Sequence, residues 1–201
     1  IATIEGLGRN FSSEKLLPRF FKRIIMIYYK IFFRFFFNKI IVLNYTDICY
    51  LLDFEITPIN KICYLPGTGV DTNIFSRKNF GEFKVRDKKK NIGMISRYLV
   101  EKGINKFIAS KISFINQMPD INKIINYFLI LPKSDINKLK KGEIDYLNTL
   151  NIKVLEYNKN PLEIYKNLDI IVQPTNYFEG LNRVILEAGS LEIPIITYHN
   201  R

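Results

Sequence analysis

The chain has 201 residues, of which 47% are hydrophobic, a composition that fits a globular protein and excludes a disordered one. Its 30 Lys and Arg residues against 19 Asp and Glu residues give a net charge of +11, which favours anionic partners. The cysteines, Cys49 and Cys63, lack metal-ligand spacing, and His199 is the single histidine, so we expect no metal and a reducing, cytoplasmic compartment.

The first part of the chain alternates short apolar runs with helical patterns. Strands are predicted at residues 1–4, 39–43 and 61–65, and a turn and helix at 44–55. Gly6 and Gly8 follow the first run in the sequence Glu-Gly-Leu-Gly, which does not continue as a dinucleotide-binding Gly-x-Gly-x-x-Gly motif. The chain starts within one predicted strand and stops just after another, so we expect a fragment of a longer protein.

A long helix, predicted from about Ser12 to about Phe37, is both aromatic and basic. One face carries Leu17, Phe20, Phe21, Ile24, Tyr28, Ile31, Phe32 and Phe35, and the other carries Lys22, Arg23, Lys30 and Arg34 with Met26, Phe33 and Phe37 among them. Large apolar side chains among cations are typical of a helix on an anionic membrane surface, so we expect this second group to be exposed together. The alternative is a mixed face that packs on protein outside this sequence.

The second part of the chain follows the turn Pro66-Gly67-Thr68-Gly69-Val70-Asp71 and a Lys-rich stretch. Five strands then alternate with helices, which predicts one parallel sheet with helices on both faces. The strands are expected at 91–95, 127–131, 152–157, 169–173 and 193–198, and the helices at 103–117, 135–150, 162–168 and 180–191. We therefore expect a first domain at 1–75, a linker at 76–90 and a second domain at 91–201.

Two acids lie eight positions apart in the last predicted helical segment. Glu179 and Glu187 would be separated by roughly 12 Å along a helix, about the reach from a hexose across a diphosphate to a ribose. Gly180 lies at the predicted helix start, where unpaired N–H groups favour an anion. Taken alone, such a pair is more simply a helix-capping acid and a surface acid.

A cationic cluster follows the first strand of the second domain, in the sequence Ser-Arg-Tyr-Leu-Val-Glu-Lys-Gly at 96–103. Ligands of open α/β sheets bind beyond the carboxyl ends of the strands. Arg97 and Lys102 would combine a planar cation with a mobile point charge there, which suits a diphosphate. Two solvated loop cations are the simpler interpretation of this segment alone.

Together these segments resemble the signature of family 4 glycosyltransferases. The similarity rests on Pro174, Glu179-Gly180-Leu181, Arg183-Val184, Leu186-Glu187-Ala188, Pro194-Ile195-Ile196-Thr197, on Arg97 with Lys102-Gly103, and on Gly69-Val70-Asp71 with Phe75. It implies an α/β fold of the GT-B type, with the second half of an N-terminal Rossmann-like domain and most of a C-terminal one that binds a nucleotide sugar. It also implies a retaining transfer that needs no metal or other cofactor.

The resemblance assigns roles to individual residues. Glu179 would be the catalytic residue on the donor sugar, and Glu187 would bind the ribose. Arg97 and Lys102 would bind the diphosphate, and the amides of Gly180 and Leu181 would bind the distal phosphate. Gly6 and Gly8 would face the acceptor. The loop from Leu131 to Asp135 departs from the family, which usually has a Gly-rich turn there, and Pro132 removes a backbone donor.

The expected function is transfer of a sugar from a nucleotide, with UDP favoured, to a glycan or a polyprenyl-diphosphate-linked acceptor during cell-surface polysaccharide assembly. The protein would lie on the cytoplasmic face of the membrane. A sugar-nucleotide epimerase of the same fold and a non-catalytic nucleotide-binding fragment stay open as alternatives. Nucleic acid is not expected as a partner, because only the net charge favours it.

Overall fold

The computed structural model describes two compact α/β units. The described residues are 1–6, 19–80, 89–157, 160–175 and 181–198, with the backbone alone at 19–22 and 80. The first unit comprises the described residues from Ile1 to Gly69 with 181–183, and the second those from Val70 to Thr175 with 184–198. Each unit contains a parallel sheet, so the predicted α/β class is confirmed.

The first unit is built on a three-stranded sheet in the order β1-β2-β3. Its elements are β1 (Ala2–Ile4), α1 (Arg19–Phe36), β2 (Ile40–Val42), α2 (Tyr45–Asp53), a 3-10 turn (Ile59–Lys61) and β3 (Ile62–Tyr64). Asn44 caps α2, because its Oδ1 accepts the Asp47 N–H at 2.7 Å. All three predicted strands and α2 are present, whereas the predicted start of the long helix at Ser12 lies outside the described residues.

Helix α1 packs on this sheet through its Tyr29 and Phe33 face. Phe33 is 8% exposed and belongs to the core of the unit, and Phe37, just past the helix, packs against it. Lys61 Nζ fixes the helix end by donating to the carbonyl oxygens of Arg34 at 2.6 Å and Phe37 at 2.8 Å. The prediction that Phe33 and Phe37 are exposed among the cations is therefore wrong.

Met26 is likewise half-buried, with the Tyr50 hydroxyl 3.7 Å from its sulfur, so its predicted exposure is also wrong. The physical reason is that α1 has apolar residues on both sides, and only one side can face the sheet. The exposed apolar side instead comprises Ile24, Ile27, Tyr28, Ile31 and Phe35. We call these five residues the outer face of α1.

The second unit contains a five-stranded parallel sheet in the order β6-β5-β4-β7-β8. Its strands are β4 (Lys90–Ile95), β5 (Ile125–Leu131), β6 (Ile152–Glu156), β7 (Ile170–Gln173) and β8 (Ile195–Thr197). Its helices are α3 (Arg77–Phe80), α4 (Ile104–Gln117), α5 (Lys133–Ile136), α6 (Lys141–Thr149), α7 (Pro161–Tyr165) and α8 (Arg183–Ser190), with 3-10 turns at Val100–Lys102 and Pro119–Lys123.

The strand order reverses between β4 and β7. The chain steps from central β4 outward to β5 and β6, then returns to β7 and β8 on the other side. The sheet is buried between two apolar clusters, one around Tyr165 and Ile171 and the other around Phe107 and Leu129. Loops on either side of such a reversal diverge and leave a crevice at the carboxyl ends of the strands.

Several predicted elements of the second unit have other bounds in the structure, among them the helix predicted at 162–168, which is Pro161–Tyr165, and the strand predicted at 127–131, which starts at Ile125. The helix expected at 135–150 is two helices, α5 and α6, because half-buried Leu139 turns into the core and Lys140 has extended backbone. The Lys140 N–H donates to Glu143 Oε2 at 2.9 Å, which starts α6 there. The last helix begins at Arg183 rather than 180, and the last strand at Ile195 rather than 193.

Gly103 offers a direct test of this fold. Its φ is +89°, and a Cβ on it would lie 2.2 Å from the carbonyl oxygen of Pro174. Gly103→Ala should therefore lower the free energy of unfolding by more than the ~1–2 kcal/mol of a left-handed alanine alone. Gly69→Ala is the matched control, because Gly69 also has a left-handed φ, +78°, and nothing lies within 4 Å of a Cβ added there. Equal urea midpoints for the two variants would contradict this packing.

Candidate functional site

The loop between β4 and α4, residues 96–103, lies at the carboxyl end of the central strand. Neighbouring β5 and β7 run parallel to β4, so their following loops lie at the same edge. This edge flanks the reversal of strand order, where open α/β sheets bind ligands. Arg97 and Lys102 are both in this loop, as predicted from the sequence.

Arg97 is held from the side of β5. Its side chain is 62% exposed, and its Nε lies 3.6 Å from Oδ2 of Asp135, whose side chain is only 5% exposed. The same carboxylate oxygen accepts the Tyr98 N–H at 3.0 Å, and Lys138 Nζ lies 3.6 Å from Oδ1. The Tyr98 amide, followed by the nearby Arg97 and Lys138 charges, lowers the pKa of Asp135 against the effect of its burial.

Tyr98 joins this loop to α6. Its hydroxyl donates to Glu143 Oε1 at 3.3 Å, and its ring packs against the second-unit core. Burial, with a smaller contribution from the Glu143 charge, raises the pKa of the Tyr98 hydroxyl, which therefore stays a donor at neutral pH. The break between α5 and α6 thus leaves Asp135 and Glu143 both in contact with the residue after Arg97.

The other side of the loop is held by residues that follow β7. Gln173 is fully buried, and its Nε2 donates to the Ile95 carbonyl at 2.7 Å. The Thr175 hydroxyl donates to the Glu101 carbonyl at 3.4 Å, next to Lys102. Together with the close approach of Gly103 to Pro174, these bonds attach both ends of the cationic loop to the end of β7.

Glu187 lies on α8 and is 3% exposed. Its Oε2 accepts the Tyr165 hydroxyl at 2.6 Å, and Tyr165 packs edge-on against Phe75 with ring centroids 6.1 Å apart. A buried carboxylate requires such donors. One oxygen of Glu187 thus has a fixed protein partner, and its predicted ribose contact stays a prediction.

The remaining predicted site residues fall into two groups. Glu179, Gly180 and Gly8 lie outside the described residues, as does the side chain of Lys22. Leu181 is 47% exposed and precedes α8, whose start at Arg183 leaves the Leu181 amide just before the helix. Gly6 follows β1 and is half-buried. Within the described ranges, no three His, Cys, Asp or Glu side chains are grouped to hold a metal ion.

Three residues that shape this site were not predicted. Asp135, Gln173 and Tyr165 contact loop or helix partners 22 to 78 positions away in the chain. The only sequence signal was that the turn after β5 ends in Asp instead of being Gly-rich. No local pattern identifies such long-range partners, because periodicity reports burial and not pairing.

Asp135 should make stability depend on pH. Its pKa is lower in the folded state, so its contribution is complete above the unfolded value of about 3.9 and is lost as pH falls through the folded value. Asp135→Asn should therefore lower the urea midpoint at pH 7 and converge on the parent protein in acid. Asp120→Asn is the control, since its pair with Lys123 is exposed. A difference independent of pH would contradict this assignment.

Comparison with known proteins adds the family. The model for glycosyl transferases group 1 matches residues 75–201. The Staphylococcus aureus capsular polysaccharide biosynthesis glycosyltransferase CapM is 32% identical over 110 residues, which cover 53% of this chain and 27% of CapM. This chain therefore spans about a quarter of that curated relative.

Solved structures share the fold. Anabaena HepE in complex with UDP is 14% identical with a TM-score of 0.70, covering 98% of this chain and 52% of HepE. Staphylococcus aureus TarM, as a mutant in complex with fondaparinux, alpha-GlcNAc-glycerol and UDP, is 16% identical with a TM-score of 0.62, covering 99% of this chain and 36% of TarM. These similarities confirm the predicted GT-B fold, and the family match shows that the chain belongs to the group 1 glycosyl transferases.

Proposed function

We propose that the full-length protein transfers a sugar from a UDP-linked donor to a glycan or polyprenyl-diphosphate-linked acceptor in cell-surface polysaccharide assembly. The observation that carries this proposal is the exposed Arg97 guanidinium, paired with Asp135 in the loop that also carries Lys102, at the reversal of strand order. Family membership and the name of the CapM relative support the reaction class and the polysaccharide product. The UDP in complexes of HepE and TarM supports the choice of base.

In this proposal the cationic loop binds the donor diphosphate. The bond between the anomeric carbon and the diphosphate breaks, and charge develops on the departing phosphate oxygen. Arg97 and Lys102 stabilise that charge, a role that metal ions fill in other phosphate sites. The carboxylate of Glu187 accepts ribose hydroxyls in this proposal, which fixes the nucleoside end of the donor.

The acceptor hydroxyl forms the new bond to the anomeric carbon with retention of configuration. Its proton goes to the departing phosphate, and UDP leaves, so that no enzyme nucleophile takes part. Glu179 holds the donor sugar in this proposal, and Gly6 and Gly8 face the acceptor. No metal or other cofactor takes part, because the two cations neutralise the diphosphate.

An activity assay tests the reaction class. The full-length protein, given UDP-sugars and a polyprenyl-diphosphate-linked glycan, should release UDP only when the acceptor is present. Release of UDP without an acceptor would instead indicate an epimerase, and no release with any acceptor would leave only nucleotide binding.

Glu187→Ala should weaken UDP binding by roughly 1.5–3 kcal/mol in calorimetry, as for a lost hydrogen bond to a charged group.

Glu163→Ala is the matched control for that variant. Glu163 is an exposed acid of the same unit, paired with Lys166 at 3.1 Å, and its loss should leave UDP affinity unchanged. Glu187→Gln, which keeps the side-chain volume, separates lost binding from lost folding. Parental affinity in folded Glu187→Ala protein would contradict the ribose role.

We further propose that the outer face of α1 binds an anionic membrane surface at the cytoplasmic side, where a lipid-linked acceptor would lie. Its five residues are between 47% and 76% exposed. Arg23 and Arg34 are exposed and, on a wheel of 100° per residue, lie along one edge of this face. Apolar side chains among cations suit the interface of anionic lipid. In the described part of the chain no helix is long and apolar enough to cross a bilayer.

Lys30 contributes less to this surface than predicted from the sequence, because Glu55 lies 3.0 Å from its Nζ. Among the described side chains, Arg23 and Arg34 are therefore the cations that matter here, and Lys22 keeps its predicted role. Each cation near anionic lipid contributes about 1 kcal/mol, and this contribution weakens as salt shortens the Debye length. The apolar contribution does not depend on salt in this way.

Sedimentation with vesicles tests this surface. The full-length protein should sediment with vesicles that contain anionic lipid, and less with neutral ones. Changing Ile24, Ile31 and Phe35 to Ser should abolish the part of binding that persists at high salt, and changing Arg23 and Arg34 to Glu should abolish the salt-sensitive part. Ile59→Ser is the control, since Ile59 is exposed but lies outside the outer face. If the parent does not sediment, the face packs on another part of the full-length protein.

A further inference from the structure

We propose that Asp135 is a positioning residue of the donor site, which fixes the Arg97 guanidinium so that its terminal nitrogens meet the donor diphosphate. This inference rests on the proposed function, because it assumes that Arg97 binds the diphosphate. Asp135 lies on the short helix α5, in the segment after β5 where the family usually has a Gly-rich turn, so the signature residues do not include it.

The ion pair joins a buried carboxylate, that of Asp135, to an exposed guanidinium, that of Arg97. Asp135 is buried, and the backbone N–H of Tyr98 fixes its Oδ2 at 3.0 Å. Arg97 is exposed, and its Nε lies 3.6 Å from the same oxygen. Among the described residues this is the one ion pair of the Arg97 guanidinium, and it engages the nitrogen nearest the chain. The two terminal nitrogens are therefore left to bind two oxygens of a diphosphate.

A second feature indicates that Asp135 orients the Arg97 side chain rather than only neutralising its charge. Lys138, on the far side of the carboxylate, lies 3.6 Å from Oδ1, so the two oxygens of Asp135 face different cations. An exposed Arg side chain samples many rotamers, and a fixed partner at its Nε reduces the freedom that is lost when ligand binds. The negative charge of Asp135 alone would have the opposite effect, because it repels a diphosphate.

These two effects predict opposite signs for one substitution. Asp135→Asn removes the charge, while the amide oxygen can still accept the Tyr98 N–H. If repulsion dominates, UDP binds more tightly. If positioning dominates, UDP binds more weakly, by roughly 3- to 30-fold for two residues that interact directly. We expect weaker binding.

A double-mutant cycle separates positioning from general damage to the loop. UDP affinity is measured by calorimetry for the full-length parent, Asp135→Asn, Arg97→Ala and the double variant. Because Asp135 acts through Arg97, its substitution should change affinity less than about twofold in the Arg97→Ala background. Thermal unfolding of each variant confirms that it is folded. Asp120→Asn removes an exposed carboxylate of the same unit and should leave UDP affinity unchanged.

The other possible outcomes of this cycle would contradict different parts of the proposal. Parental affinity in Arg97→Ala would overturn the donor site itself, and the positioning role with it. Weaker binding in Arg97→Ala with unchanged or tighter binding in Asp135→Asn would overturn the positioning role alone. Equal losses from Asp135→Asn in both backgrounds would show that Asp135 acts on the loop and not through Arg97.

A fourth variant keeps the test informative if Asp135→Asn does not fold. Arg97→Lys keeps the charge but has one nitrogen, which cannot pair with Asp135 and present a fork to the diphosphate at once. Its UDP affinity should fall close to that of Arg97→Ala. Parental affinity in Arg97→Lys would show that charge suffices, and would overturn the positioning role.

Discussion

Gly103 has no side chain at the closest described approach between the loop after β4 and the residues that follow β7. Any Cβ there would lie 2.2 Å from the Pro174 carbonyl oxygen, and the left-handed φ of +89° disfavours other residues further. The contact holds Lys102 beside the end of β7 and starts α4 immediately afterwards. The cationic loop can therefore lie over the reversal of strand order only because this residue is glycine.

The loop also shows how a chain of net charge +11 keeps its cations in place. Among the described residues three carboxylates are buried, and Asp135 is one of them. It faces Arg97 and Lys138 and takes a backbone hydrogen bond, so its charge is satisfied three times. Buried Glu187 instead accepts a hydroxyl, that of Tyr165, at 2.6 Å. The two buried acids are therefore satisfied by different kinds of donor, cations and a backbone amide for Asp135 and a neutral hydroxyl for Glu187.

Sequence patterns predicted most of this fold because its strands are short apolar runs, and those at the centre of the second sheet are largely buried. A short apolar run that a proline ends, such as Ile170–Gln173 before Pro174, predicts a buried strand. The division between α5 and α6 was missed because Leu139, at a helical spacing, turns into the core through a non-helical segment. Arg97 and Lys102 were predicted from their position after a strand, but Asp135 was not. Its partner is 37 positions away, and only the folded sheet brings the two loops together.

For helix α1 the amphipathic pattern did not predict which face packs on the sheet. A helix with one apolar side has one possible inner face, but α1 has Ile24, Tyr28 and Ile31 on one side and Tyr29 and Phe33 on the other. The residues that decide are outside the helix. Lys61 caps its end by donating to the carbonyl oxygens of Arg34 and Phe37, and the core of the first unit takes up Phe33. The exposed pair of Lys30 with Glu55 contributes little.

The aromatic residues of the inner side explain why this orientation is stable. The rings of Tyr29 and Phe33 pack against each other in a tilted arrangement with centroids 5.3 Å apart, and Phe33 and Phe37 continue the row at 6.0 Å. The outer face has large side chains at 47–76% exposure, more than a solvated helix needs. The orientation of α1 on the sheet therefore both buries the inner rings and exposes the outer face. The same orientation leaves Arg34 beside the outer face, where a cation and an apolar surface can act on one partner.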